Sequence, residues 1–189
     1  MFSTITIIED RDAGFLQGVL VAPVSRLAIV LGKVVGATAI AMIQTLIFLA
    51  AAPVLGLAPG AGSLALILVA FVLSGVGFAS LGFLLAWSMK STAAFHAVMM
   101  VFLMPLWMLS GALFPLENVP AAMKALMLVN PVSHALVAVR APFYDSPAHL
   151  LGQADYLLAL AVTVAWAGIG LALSMLRVNR AERGAPLAP

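Results

Sequence analysis

The sequence predicts an all-α integral membrane protein with four transmembrane helices, an N-terminal amphipathic helix and two short re-entrant helices before the last span. Three observations carry that prediction. Of 189 residues, 64% are hydrophobic and 8% charged, with a mean hydropathy of +1.17, whereas soluble domains run at about 45–50% apolar and about 25% charged. The apolar runs are continuous rather than alternating in steps of two, which excludes a lipid-facing β-barrel. The charges leave long gaps: none lies between Lys33 and Lys90, from Ser91 to Leu116, or from Tyr156 to Leu176.

One span takes about 20 residues, so the first gap holds two. Pro53, Gly56, Pro59, Gly60 and Gly62 break it in the middle, because Pro lacks a backbone donor and Gly loosens a helix. The spans are therefore 30–55 and 64–87. The second gap holds a third span, 93–112, and the third gap a fourth, 155–176, closed by Arg177, Arg180 and Arg183.

Ahead of the spans, Glu9, Asp10, Arg11 and Asp12 form a charge run, followed by Phe15, Leu16, Val19 and Leu20 at helical spacing. The pattern predicts an amphipathic helix over 9–22, lying on a membrane surface or a partner and stopped at Pro23. Met1–Ile8 is too short for a signal-peptide core with its flanks.

Residues 113–141 are apolar but repeatedly broken, at Phe114-Pro115, Val119-Pro120, Asn130-Pro131 and Ala141-Pro142. Two helical pieces fit, 120–129 and 132–140, with Pro120 suited to a first turn. Each is too short to span, and as an ordinary loop the run Leu126–Val129 would face water. They therefore read as re-entrant helices, whose loose backbone must be covered by protein or water.

Seven of the nine Lys and Arg (Arg11, Arg26, Lys33, Lys90, Arg177, Arg180, Arg183) fall on one side of this topology, and Lys124 and Arg140 on the other. The positive-inside rule makes the first side cytoplasmic. Both termini, including the tail 177–189, are then inside, and the whole chain is one transmembrane domain.

Enzymatic chemistry is hard to place. The sequence holds no phosphate-binding G-x-x-x-x-G-K-[ST], no G-x-S-x-G and no H-E-x-x-H, so no catalytic, cofactor-binding or metal residue is assigned. Cys is absent, which removes thiol chemistry and Cys-based zinc sites. His96, His134 and His149 lack a second ligand at helical spacing. A lipid-modifying enzyme would need paired polar groups at one depth, and Gln44, Ser74, Ser80, His96, Ser110 and Thr163 show no evident pairing. Nine basic residues spread along the chain make no nucleic-acid footprint.

Buried acids would mark an ion pathway, but the spans are almost clean. Gln44 is the one strongly polar side chain at mid-span depth in the first span, and an interhelical hydrogen bond is its expected role ahead of substrate contact. Gly32 with Gly36, and Gly75 with Ala79, would permit close helix approach. Met99, Met100, Met104 and Met108 are expected to pack between helices.

Three segments in order resemble the permease subunits of ABC-2-type exporters. The first is Gly14–Arg26 (Gly14-Phe15-Leu16-Gln17-Gly18-Val19-Leu20-Val21-Ala22-Pro23-Val24-Ser25-Arg26), continuing to Gly32-Lys33. The second is Leu109-Ser110-Gly111-Ala112-Leu113-Phe114-Pro115-Leu116, with Pro120. The third is Asn130-Pro131, with Arg140 following. The chain departs from the family at Gln17, where an acid is common, at Ala122, where an aromatic is common, and at His134 and Val137, where Tyr and Asp are common.

The resemblance implies a bacterial or archaeal inner-membrane, multi-pass subunit that pairs with a second permease copy and with separate ATP-binding cassette ATPase subunits. Membrane lipid surrounds it, and nucleic acid is not a partner. ATP and Mg would sit on the partner ATPase, with no cofactor on this chain. Glu9, Asp10, Arg11, Asp12, Gly14, Phe15, Leu16, Leu20, Pro23 and Arg26 would form the ATPase-coupling segment. Gly111, Phe114, Pro115, Pro120, Asn130, Pro131 and Arg140 would form the re-entrant gate, with Arg140 meeting a lipid headgroup or an anionic substrate. A family subunit usually has six spans, so the first two are expected to be missing here. The function implied is export of a hydrophobic or amphiphilic drug, lipid or glycan. The alternative is a truncated, non-transporting membrane protein with an assembly or regulatory role.

Overall fold

A computed structural model of the chain describes residues 4–14, 25–114 and 119–183. Among them every regular element is helical. Four helices are long and apolar enough to cross a membrane: Leu27–Leu55, Ala61–Ser88, Thr92–Ala112 and Ala154–Asn179. The four spans read from the charge gaps are all present.

Helix α1 covers Thr6–Asp12. The amphipathic pattern predicted a helix over 9–22, and here the structure differs. The helix starts three residues earlier and closes in a turn at Ala13-Gly14, with Gly14 at φ +75°, a left-handed conformation that ends helices and that Gly adopts without steric cost. Residues 15–24, including Phe15, Leu16, Leu20 and Pro23, lie outside the described residues.

Helix α2 (Arg26–Ala51) begins at Ser25, whose hydroxyl accepts from the Ala28 amide at 3.3 Å. It tightens into a 3₁₀ turn over Ala52–Leu55 with Pro53 near its start, and stops at Gly56, φ +77°. Helix α3 (Ala61–Ser88) returns across the bundle. Helix α4 (Thr92–Ala112) is capped by Ser91 and carries two π-helical stretches, Met99–Leu103 and Met108–Ala112. Gly111, at φ +90°, ends it.

Helices α5 (Ala121–Val129) and α6 (Pro131–Arg140) follow, bent 78° at the break between them. Such a bend is that of a broken span or a re-entrant loop, and both helices match the predicted re-entrant pieces within a residue. Pro120 stands one place earlier than expected, at the N-cap of α5. A short helix, α7 (Pro147–Leu150), leads to the last span, α8 (Ala154–Arg183).

Helix α3 is the hub: α8 and α2 pack along it, and α6 packs on both α3 and α8. Small residues set those contacts. A Cβ on Gly77 would stand 2.9 Å from the Trp166 ring, one on Gly170 3.1 Å from the Ser80 Cβ, and one on Gly75 3.0 Å from Thr38. The expected close approach at Gly75 is therefore present. Gly32 and Gly36 have no atom within 4 Å of a built Cβ, so that pair carries no packing among the described residues.

The methionine expectation holds for Met99, which packs against the core, and is corrected for the other three. Met100, Met104 and Met108 are exposed, because α4 joins the rest of the bundle at its ends. Phe95 enters the core at one end, and the last turns meet α5 and α6 at the other.

A core cluster sits at the end of the bundle that carries Lys33, Lys90 and Arg177. Ile7 and Ile8 of α1 are fully buried there with Val30, Val34, Phe83, Ala86, Phe95 and Val178. The predicted topology assigned Met1–Ile8 to no element, yet this short segment brings two of the chain's most buried side chains.

Candidate functional site

Two constellations are built by this fold, one at each end of the bundle. At the basic end, α1 is fastened to α2. Lys33 Nζ donates to Asp10 Oδ2 at 2.6 Å and to Thr6 Oγ1 at 3.1 Å. Both charged side chains are about two-thirds withdrawn from the surface, which strengthens the pair relative to an exposed one. One face of α1 thus lies in the core, and Asp10 is held sideways. Glu9, Asp12 and Gly14 stay exposed, so the acidic edge remains open to another molecule. The charge run divides into one residue used internally and two that face outward. The side chains of Arg11 and Arg26 lie outside the described set.

At the opposite end, the re-entrant tip is tied to the end of α4. Asn130 Nδ2 donates to the carbonyls of Leu106 at 2.6 Å and Leu109 at 3.2 Å, and Ser133 Oγ donates to Leu109 O at 3.2 Å. Asn130 Oδ1 accepts from the Val132 amide at 2.9 Å, capping α6 above Pro131. A π-helical end leaves main-chain carbonyls without their usual i+4 donors, and a buried carbonyl in a membrane needs a partner. Asn130, itself 4% exposed, supplies it with one end of its amide while capping the next helix with the other. Gly111 lies alongside, with Met127 Cε 3.6 Å from where its Cβ would be.

The structure therefore brings together Gly111, Asn130 and Pro131 of the predicted gate residues. Phe114 and Pro120 lie nearby but exposed, and Pro115 is outside the described residues. Arg140 stands apart and exposed, with its guanidinium carbon 5.9 Å from the centroid of the Tyr144 ring, a cation–π distance.

One polar group was missed by sequence reasoning. Asp145 Oδ2 accepts from His149 Nδ1 at 2.5 Å and from Gln153 Nε2 at 3.5 Å. The hydrogen bond from His149, aided by the Ser146 amide, holds the Asp145 carboxyl below its usual range. The i, i+4 spacing of Asp145 and His149 was the available signal, and it corrects the reading of His149 as lacking a partner at helical spacing. Ser63 Oγ on α3 donates to the Asp145 carbonyl at 3.4 Å, so this turn ties the re-entrant region to the hub.

Between the two ends, α2, α3, α4 and α6 enclose an open groove of about 500 Å³. Its walls are apolar and aromatic, with Ala41, Phe48, Phe78 and Trp107 among them, and Gln44 projects into it. Gln44 has no hydrogen-bond partner among the described residues. The interhelical bond expected of it is not made there. His96 is bonded to its own helix, at Thr92 O. Among the described residues no group of three His, Asp or Glu is placed to hold a metal.

Comparison with known proteins meets this geometry at both ends. The profile of the ABC-2 type transporter family matches residues 1–144, which include α1, the first three spans and the α5–α6 turn. The chain is 36% identical over 134 residues to the probable multidrug ABC transporter permease YbhR of Escherichia coli K12, covering 70% of this chain and 36% of that protein. It is 26% identical over 167 residues to the inner membrane transport permease YhhJ of the same organism, covering 87% of this chain and 44% of the relative. It is 29% identical over 140 residues to the putative transport permease ycf38 of Porphyra purpurea, covering 73% and 48% respectively. The chain thus spans less than half the length of these relatives. No solved structure matches it. The fold, the re-entrant turn and the family profile agree: the chain is a multi-pass membrane protein and belongs to the ABC-2 type transporter family.

Proposed function

We propose that the chain acts as a permease subunit of an ATP-binding cassette exporter, moving a hydrophobic or amphiphilic substrate out of the cytoplasm. ATP, with Mg, is hydrolysed on a separate ATPase subunit. The observation that carries the reading is the placement of α1. Its apolar face is sunk among residues of α2, α3, α4 and α8, Asp10 is bonded to Lys33, and Glu9 and Asp12 face outward at the basic end. A partner that pushes on this element displaces the meeting point of four helices at once. Close-packed interiors pass such a displacement on rather than absorb it.

The positive-inside rule puts that end in the cytoplasm, where an ATPase is available. The segment 9–22 would dock on the ATPase, with Glu9, Arg11 and Asp12 in polar contact and Phe15, Leu16 and Leu20 packing. The α5–α6 turn would serve as the outer gate, with Asn130 as its fastening to α4. A second permease copy and lipid would cover the exposed apolar face of α4. Arg140 would meet a lipid headgroup or an anionic part of the cargo. The names of YbhR and YhhJ support transport as the activity.

The test is co-expression with an ATPase encoded beside the gene, purification through a tag on the permease, and detection of the ATPase. The reading requires co-purification that Leu16→Asp with Leu20→Asp abolishes. Co-purification unchanged by those two charges would overturn the docking segment. Failure of any ATPase to bind would favour a non-transporting assembly role.

A further inference from the structure

Helix α4 is interrupted twice, and only one interruption is explained by its own sequence. In the first π-helical stretch the Met104 amide bonds to the Met99 carbonyl, five residues back. Pro105 follows at once and has no N–H to offer the Val101 carbonyl, so regular α winding is broken there. The second stretch, Met108–Ala112, lies beyond Pro105 and holds no proline. Its Met108 and Leu109 are residues that wind readily as α-helix.

What holds the second stretch comes from elsewhere in the chain. In an α-helical turn the Leu106 and Leu109 carbonyls accept from the amides of Ser110 and Leu113, four residues on. Here Asn130 Nδ2 donates to both carbonyls, at 2.6 Å and 3.2 Å, and Ser133 Oγ donates to Leu109 O at 3.2 Å. Side chains of α6 thus compete with the main chain of α4 for the same acceptors. Asn130 is also tied to its own helix through the Val132 amide, so it keeps its hold on Leu106 and Leu109 only while the α5–α6 turn stays in place. The middle of α4 offers little resistance to turning, since Met100, Phe102 and Met104 are exposed.

We propose that Met108–Ala112 is a two-state winding switch set by Asn130. The stretch is π-helical while the Asn130 amide holds the Leu106 and Leu109 carbonyls, and α-helical when the α5–α6 turn lets go and the main chain reclaims them. A π turn spans one residue more than an α turn, so the conversion carries Leu113 about 1.5 Å along the axis and about 100° around it. Packed elements move between discrete arrangements of this kind rather than deform continuously. At its other end α4 enters the core through Phe95, beside Ile7 and Ile8 of α1, so one helix joins both constellations. The inference concerns the winding of α4 and stands whether or not the chain is an exporter.

The chain has no native Cys, so introduced pairs can be spin-labelled cleanly. Val54 on the last turn of α2 and Leu113 at the end of α4 are both exposed. Val54→Cys with Leu113→Cys, read by pulsed EPR in lipid nanodiscs, reports the rotation. The parent should give one distance. Asn130→Ala should shift it by up to about 8 Å, the chord of that rotation at the helix surface. Deletion of Met108, which removes the extra residue, should give the same second distance with Asn130 intact. An unchanged distance in Asn130→Ala, or a broad distribution that the Met108 deletion does not reproduce, would overturn the proposal. A control pair off α4, Val54→Cys with Leu151→Cys, should not move, and a shift there would also overturn it. Should Asn130→Ala fail to accumulate, Asn130→Asp keeps the cap on α6 while repelling the two carbonyls, and should give the same second distance.

Discussion

Lys33 Nζ on the first span lies 2.6 Å from Asp10 Oδ2 on α1. The two residues are 23 apart in sequence, and their contact fixes where the N-terminal helix sits against the bundle. The pair is withdrawn enough from solvent to hold geometry but is not fully buried, so the net gain from it is modest, on the order of 1 kcal/mol. Removing one partner costs more than removing both, because a lone charge is left partly desolvated. Lys33→Met alone should therefore lower the unfolding temperature in nanodiscs more than Lys33→Met with Asp10→Asn. Equal losses in the single and double variants would show that the ion pair does not hold α1.

Asn130 makes its bonds with both ends of one amide, so its two isosteric losses separate. Asn130→Asp keeps the acceptor for the Val132 amide but loses the donor to Leu106 and Leu109. It brings a carboxylate against carbonyl oxygens. Its expected cost is about 3 kcal/mol or more, while Asn130→Ala, which removes both, should cost about 2–3 kcal/mol. Thermal unfolding of purified chain in lipid nanodiscs checks the order. An Asp variant as stable as the wild type would exclude the clamp.

Gly77 lies under Trp166, where an added Cβ would stand 2.9 Å from the ring. The Trp166 ring is also held edge-on by Phe78, with centroids 4.7 Å apart, so it has little freedom to yield. Gly77→Ala should cost about 1–3 kcal/mol through overpacking. Trp166→Leu in the same chain should recover part of that loss, which a double-mutant cycle would read as coupling between the sites.

The Asp145–His149 contact gives a pH dependence whose sign is fixed. The native Asp145 carboxyl titrates below its unfolded value, held down by the bond from His149 and by the Ser146 amide. Its stabilising effect is thus fully present above the unfolded carboxylate range, about pH 4, and is lost as pH falls through the lower native value. Both groups are at the surface, so the effect is small. Unfolding temperatures followed from about pH 6 downward should fall less steeply for Asp145→Asn than for the wild type. Identical slopes would remove Asp145 from the account.

Much of the candidate site was legible in the residues, and unevenly so. The re-entrant turn could be read because Pro115, Pro120 and Pro131 interrupt an apolar run too short to span twice, a property of the local chain. Asn130 was singled out, but its targets could not be. They are main-chain carbonyls exposed by a π-helical ending at Met108–Ala112, and no side-chain pattern announces that. The N-terminal helix was read from its polar and apolar spacing over 9–22. The structure stops α1 at Asp12, because the backbone turns at Gly14, and it buries Ile7 and Ile8, which lay outside the amphipathic stripe.

The sequence by itself determined the number of candidate spans, their approximate limits and the broken segment before the last span. Each depends on the free energy of placing about 20 consecutive residues in hydrocarbon, which is a sum over neighbours along the chain. Only the tertiary structure decided which faces meet. Gly75 and Gly77 are pressed against Thr38 and Trp166 while Gly32 and Gly36 stand open. Lys33 finds Asp10, and Gln44 is left facing a groove. In lipid, an apolar helix gains nothing from hydrophobicity by turning one face or another inward. Its rotation about its own axis is set by close packing and hydrogen bonds with other helices, and so is not written in the hydropathy of the span itself.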